Sequence, residues 1–307
     1  MTIFKTKPLD SIDRKTAPRP SIVTLPDINK PFPSILEFLK SRFEYVPGHI
    51  WRHRIECGKI TDEFGTPITF KTRYTPNTRL MYFREVDHEP VIPFKETIIF
   101  QNDHLIASVK PHFLPVIPGG PYVNECLLYR LRQQTGMENL SPIHRIDRET
   151  AGIVLFSVNR ETRGAYQLLF DTGQVEKTYE AIGGLPFTPT QTDWIIQGKI
   201  EKGTPWFRMH ETSGAVNAKT VIHLLETRAD QGRYRIHPQT GKKHQIRIHM
   251  CRICPGIKND RYYPELQSES DPDFSKPLKL LAKEISFRDP LTKTSLTFRS
   301  TQNLSWE

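Results

Sequence analysis

Apolar and polar positions along the 307-residue chain change period several times. Up to about Pro33 the chain has Pro and Lys/Arg but no apolar period, which predicts an extended arm or loose tail, residues 1–33. A helix is expected to start at Ser34: Ser34 and Glu37 form a capping box, and Ile35, Phe38 and Leu39 supply one apolar stripe. A second short helix over about 49–57 turns Trp51 and Ile55 inward and Arg52 and Arg54 outward, with Gly58 closing it. Strand-like pieces at 59–62 and 79–84 complete a small basic unit over 34–88. Residues 88–94, HEPVIPF, read as a linker.

Beyond the linker both periods alternate. Strands are expected at 96–100 and 105–110, and a buried one at 152–158. Asn124 is placed to cap a helix carrying Leu127, Leu128 and Leu131 that stops at Gly136. Asn159 is placed to cap another, with Ala165, Tyr166, Leu168 and Leu169, ended by Gly173. Further strands are expected at 175–182, 219–226, 233–237 and 278–287, and an exposed acidic loop at 265–273. No repeat at a solenoid period occurs. Helices and strands without strict βαβ alternation predict an α+β fold on a mixed, mainly antiparallel sheet.

Charge narrows the function classes. Lys+Arg 43 against Asp+Glu 34 leaves a net charge of +9 and a pI of about 9.3, which attracts polyanions, nucleic acid ahead of acidic lipid. A mean hydropathy of -0.50, and apolar runs no longer than that at 152–156, argue against a membrane partner, since a span needs roughly 20 apolar residues. The opening residues lack a secretory pattern. Four cysteines in the whole chain cannot form a disulfide framework, so the cytoplasm is the expected compartment.

Two polar clusters carry candidate chemistry. His144, Arg145, Asp147, Arg148, Glu149 and Thr150 stand just before the buried strand. A carboxylate there between two arginines is expected to stay ionised, as a base, metal ligand or covalent nucleophile, or else as half of a loop ion pair fastening a strand end. The second cluster runs from Thr240 through Gly241, Lys242, Lys243, His244, Gln245 and Arg247 to His249. Ile246, Met250 and Ile253 fit a helix opening after Gly241, with backbone N–H groups and Lys242 offered to an anion. Ile246, Ile248 and Met250 also alternate, so a strand stays open. Tyr179, on the strand face of Val175, Lys177 and Ala181, is placed either to pack or to stack on an extruded base. Cys251 and Cys254 form a lone CxxC with no second pair at zinc spacing, which favours two packed thiols over a metal or redox site. Gly119-Gly120 is a turn without the Lys-Ser/Thr of a phosphate loop.

The segment from His144 to Gly152 (HRIDRETAG) closely resembles the HRLDxxTSG signature of the RluA-type RNA pseudouridine synthases. Glu176-Lys177-Thr178-Tyr179 resembles that family's lysine-x-tyrosine strand, and 240–249 (TGKKHQIRIH) its TGRTHQIRVH segment. Asp103-His104-Leu105, followed by Val109-Lys110-Pro111, resembles its opening strand and lysine-proline turn. Four segments in order cover roughly residues 95 to 290. Ile146 and Ala151 stand for the family's Leu and Ser, and Lys242-Lys243 for its Arg-Thr, which loses a bidentate fork. At 259–264, NDRYYP keeps only Asp260 and Tyr263 of a GDPLYG loop.

The resemblance implies a pseudouridine synthase catalytic domain over 95–307 around an RNA cleft, and isomerisation of uridine in structured RNA, ribosomal ahead of transfer RNA. It makes Asp147 the catalytic aspartate, Tyr179 the ring under the flipped uracil, Arg247 the partner of the Asp147 carboxylate, and Arg145 the filler of the vacated gap. Uracil must leave C1′ through N1, rotate and rejoin through C5. Asp147 therefore either attacks the sugar or takes its 2′ proton, while Ile146 and Ile182 wall the pocket. Neither route calls for a metal or other cofactor. His144, Arg148, Lys177, Lys242, Lys243 and His244 are further candidates for RNA contact. Arg52 and Arg54 join them from the 34–88 unit, whose two helices and hairpin resemble an S4 RNA-binding domain. A monomer is expected, because no coiled-coil seam is present. A fold kept for RNA binding alone, or a CxxC-dependent zinc or redox protein, are the competing expectations. Asp147, Tyr179 and Arg247 together favour the enzyme, since binding alone has no use for this acid.

Overall fold

The computed structural model describes residues 15–268 and 273–306. The chain divides into two compact units, one with the residues up to Pro90 and Pro118–Asn124, the other with Val91–Ile117 and the chain from Glu125 onward.

In the first unit β1 (Lys15–Thr16) precedes β2 (Ser21–Thr24), α1 (Ile35–Arg42), α2 (Gly48–Glu56), β3 (Ile60–Asp62), β4 (Arg79–Tyr82) and β5 (Glu85–Val86). The Ser34 hydroxyl accepts the Glu37 N–H at 3.2 Å, so the expected cap forms. Gly58, at φ 65°, closes α2, as its freedom at positive φ allows. Leu25, Phe38, Leu39, Trp51, Ile60 and Leu80 share one apolar core, under a sheet ordered β2-β4-β3.

Two expectations need correction here. Residues 15–33 are not a loose tail: Ser21–Thr24 pairs along β4 and Leu25 is fully buried. A single buried leucine behind a short edge strand leaves no period to read. The arm's residues 1–14 lie outside the described residues. Arg54 does not face outward either. It stands at i+3 from Trp51 and so shares the inward face, with its guanidinium 4.9 Å from the Trp51 ring and 4.0 Å from Glu85. Arg52 is exposed, its guanidinium 5.5 Å from the Phe70 ring.

The second unit continues with β6 (Thr97–Gln101), β7 (Leu105–Lys110), α3 (Leu127–Thr135), β8 (Ser141–Pro142), β9 (Ala151–Ser157), α4 (Arg163–Asp171), β10 (Val175–Gly184) and β11 (Asp193–Lys202). After these come β12 (Met209–Thr212), β13 (Ala218–Arg228), β14 (Gln231–Pro238), α5 (Gln245–Met250), β15 (Leu280–Arg288) and β16 (Ser295–Arg299). Among the described residues one sheet orders them β12-β11-β13-β14-β10-β15-β9-β7-β6, with β16 on β15 and β8 on β9. Its pairs are antiparallel except β15 with β9, which is the mixed, mainly antiparallel α+β sheet expected. β7 and β9 are buried at every position, as strands covered on both faces must be.

At the parallel crossing Gly152 sits at φ +118°, where a Cβ would lie 2.2 Å from the Ala282 carbonyl oxygen. Only glycine admits that approach, and it fixes where the preceding loop, 143–150, emerges.

Neither asparagine caps its helix. Asn124 gives its N–H to Glu89 at 2.7 Å, leaving Cys126 as the N-cap of α3. Asn159 accepts from Glu161 N–H at 2.8 Å in a local turn, so α4 begins later, after Thr162, and its Leu168 is exposed. Residues 88–94 are irregular but fastened. Glu89 accepts the Val123 N–H, Ile92 is buried, and Arg130 donates to the Ile92 carbonyl at 2.8 Å.

Candidate active site

Helix α5 settles the helix-or-strand alternative, but it opens at Gln245, after His244 in the left-handed conformation. The Gln245 side chain explains the late start. Its Oε1 accepts from Thr240 Oγ1 at 2.6 Å and Lys242 N–H at 3.1 Å, and its Nε2 donates to Thr220 Oγ1 at 2.8 Å. The Lys242 N–H is thus spent inside the protein and is not offered to an anion. All six residues of α5 are buried, which carries Arg247 into the interior.

Arg247 is 1% exposed. Its Nε and Nη2 donate to the two carboxylate oxygens of Asp260 at 2.8 and 2.5 Å, and its plane lies 4.8 Å from the Tyr262 ring. Burial works to lower its pKa, but the Asp260 bonds and charge outweigh that and raise it. The remaining nitrogen, Nη1, reaches Asp147 Oδ2 at 3.4 Å and Glu149 Oε2 at 3.9 Å. The expected contact of Arg247 with Asp147 is therefore present, as one arm of a guanidinium anchored elsewhere.

Asp147 lies in the loop between β8 and β9, its side chain 23% exposed. The flanking arginines do not hold it. Arg145 points to solvent, and Arg148 pairs with Glu149 at 2.8 Å. Burial consequently dominates and pushes the Asp147 carboxyl above its ordinary value, against the lowering by Arg247. This corrects the expectation that neighbouring charge alone would secure the anion. At Glu149 burial is outweighed by Arg148 and Arg247, and the pKa is lowered. The loop's backbone is pinned by Lys110, whose buried ammonium donates to the carbonyls of Pro111, Leu114 and Arg148 at 2.9, 2.6 and 3.0 Å. Burial draws the Lys110 pKa down to about 7.

Tyr179 stands on β10 between Ile236 of β14 and Ala282 of β15, at a register shift between Thr178 and Tyr179. Such a bulge re-aims a side chain. The ring is half-buried, and burial together with Asp147 raises its pKa, so the hydroxyl stays protonated.

The candidate RNA contacts divide. Arg145, Lys242 and Lys243 are exposed; Lys243 Nζ donates to the Phe207 carbonyl at 2.9 Å. Lys177 is half-buried and reaches the Thr240 carbonyl at 3.4 Å. His144 turns inward, stacked on Phe170 at 4.7 Å and accepting the Leu155 N–H at 3.1 Å. His244 is buried between Tyr263 Oη, 2.8 Å from Nδ1, and Asp147 Oδ2, 3.9 Å from Nε2. It is an inner neighbour of the carboxylate. Cys251 and Cys254 turn their thiols onto the carbonyls of Arg247 and Met250 at 3.2 and 3.4 Å, and burial pushes the Cys251 thiol up to about 12.

Sequence reading passed over Asp260, Glu149 and Lys110 as working parts of the site. The retained Asp260 and Tyr263 of the altered loop were the available signal.

The inward histidines give the fold a pH dependence. Burial lowers the pKa of both His144 and His244 to about 3, whereas an unfolded histidine titrates near 6.5. From about pH 6.5 down to 3 the unfolded chain binds more protons, so stability is lost as pH falls through that window. The melting temperature should drop steeply on acidification below pH 6.5, and less steeply in His144→Gln. Parallel profiles for the two proteins would contradict the assignment.

With this geometry in view, relatives are informative. The family model for RNA pseudouridylate synthase matches residues 104–251. The dual-specificity RNA pseudouridine synthase RluA of Vibrio vulnificus is 30% identical over 210 residues, 66% of this chain and 80% of that protein. An uncharacterized RNA pseudouridine synthase of Synechocystis is 28% identical over 232 residues, 75% of this chain and 79% of its own. The solved human RNA pseudouridylate synthase domain containing 4 superposes with a TM-score of 0.52 at 24% identity, over 68% of this chain and 88% of that one, and so shares its fold. The chain belongs to the RluA-type RNA pseudouridine synthase family and is an isomerase that converts uridine to pseudouridine in RNA.

Proposed function

We propose that Asp147 is the reactive group of this isomerase, acting on the ribose of a uridine flipped out of structured RNA, with ribosomal RNA preferred to transfer RNA. The observation that carries this reading is the Asp147 carboxylate, 23% exposed and 3.4 Å from the guanidinium arm of buried Arg247 that Asp260 does not hold. A carboxylate held by one cation and otherwise desolvated is a stronger base and nucleophile than one in water. Tyr179 stacks beneath the detached uracil and keeps it from escaping. Arg247 orients the carboxylate, and Arg145 enters the gap left in the RNA.

The first unit serves as an S4-like RNA-binding domain, with Arg52 on its exposed helix face. It is the source of the ribosomal preference, because phosphate contacts on a separate module set register on a folded RNA. Exposed Lys242 and Lys243 contribute phosphate contacts near the carboxylate. Among the described residues the four cysteines form no disulfide, which suits a protein of the cytoplasm, where it acts as a monomer.

Pseudouridine mapping of total RNA from cells with and without the gene tests the reading. One or a few ribosomal sites should vanish without it and return with the wild type. Loss confined to transfer RNA would move the substrate, and no lost site would overturn the reading.

A further inference from the structure

We propose that the loop between β11 and β12, residues 203–208 with Trp206 at its tip, is a stacking platform for an unpaired nucleobase beside the target uridine. This rests on the reading of the Asp147 site as the place where that uridine is flipped.

Trp206 is 71% exposed, yet it belongs to a line of rings leading to the carboxylate. Its ring lies 5.9 Å from Phe207, edge to face, and Phe207 lies 5.3 Å from Tyr262. Tyr262 in turn packs on the guanidinium of Arg247 at 4.8 Å, which contacts Asp147. The loop beneath the indole is anchored on all sides. Gly203 N–H donates to the Arg208 carbonyl at 3.0 Å and Arg208 N–H to the Pro205 carbonyl at 2.9 Å. Lys243 holds the Phe207 carbonyl at 2.9 Å and Arg208 the Pro264 carbonyl at 3.0 Å. An indole 71% exposed on a loop this well fastened is preorganised for a flat partner.

Charge identifies the partner. Lys202, Arg208 and Lys243 surround the loop, and Lys243 lies in the fields of both Asp147 and Lys202. The neighbouring acids are already engaged, Glu201 with Lys199 at 2.6 Å and Glu211 with Arg252 at 3.0 Å. Cations for phosphate beside an exposed indole for a base are the pairing by which proteins hold unpaired RNA. Flipping the uridine also strips its neighbour of a stacking face. Arg145 fills the vacated gap, and Trp206 offers a second face to an adjacent unpaired base, more strongly for a purine because of its larger ring.

The test uses the full chain and two readouts. In the first, a short oligouridylate carrying one 2-aminopurine is bound to wild type, Trp206→Ala, Trp206→Phe and Asp147→Asn. In the second, KM and kcat are measured on an RNA that the wild type modifies. The platform predicts 2-aminopurine quenching in wild type, Trp206→Phe and Asp147→Asn, and its loss in Trp206→Ala. It also predicts a KM raised about tenfold in Trp206→Ala, with a much smaller change in kcat. Quenching or KM equal to wild type in Trp206→Ala would overturn it. If Asp147→Asn keeps activity, the Asp147 reading fails, and the quenching arm still decides the platform.

Discussion

Asp147→Asn should lower pseudouridine formation by at least about 10³-fold, as removal of a single reactive group does elsewhere, while RNA binding and folding persist. The substitution keeps shape and removes one charge. Arg247 is not orphaned by it, because its Nε and Nη2 remain on Asp260. Burial already disfavours the Asp147 anion, so the neutral amide relieves a cost, and the melting temperature should equal or exceed that of wild type. The same burial places the acid limb of the wild-type pH–rate profile above the ordinary aspartate value near 3.9. Site-resolved mapping in cells lacking the gene, complemented with each form, is the measurement. Restoration of the sites by Asp147→Asn would remove the catalytic assignment.

Legibility in the sequence followed how local each signal was. The Ser34 cap needed only neighbouring residues, and the run 152–158 announced the buried strand that the structure places at Ala151–Ser157. Asp147, Tyr179 and Arg247 were found through motif resemblance, not periodicity; the ion pair joining Asp147 to Arg247 spans a hundred positions. Errors arose where a polar residue had a distant partner. Arg54 was drawn inward by Trp51 and Glu85, Asn124 was taken by Glu89, and His144 found the Leu155 N–H. Polarity at these positions was legible, but the direction of the side chain was not. Strands β11, β12 and β16 were passed over as well, although Trp194, Ile196 and Ile200 lie buried on alternate positions of β11. A glycine at 198 and exposed Ile195 blur that period.

Asp260→Asn should act in the opposite sense to Asp147→Asn on stability, although both carboxylates bind one arginine. Asp260 is 5% exposed. Besides Arg247, its Oδ1 accepts the backbone N–H groups of Tyr262 and Tyr263 at 2.8 and 3.1 Å. An amide must turn an NH₂ toward at least one of these donors, and the guanidinium loses its only bidentate partner among the described residues while remaining buried. Breaking such a pair costs about 3–5 kcal/mol, which is roughly a 10 °C fall in melting temperature for a unit of this size. Activity should fall too, below the melting point, because Arg247 freed from Asp260 swings fully onto Asp147 and draws its carboxylate toward the guanidinium and away from the ribose. Thermal melts and mapping on the two variants separate the roles. Loss of activity without loss of stability marks Asp147, loss of both marks Asp260, and an Asp260→Asn protein as stable as wild type would show that Arg247 needs no structural anchor.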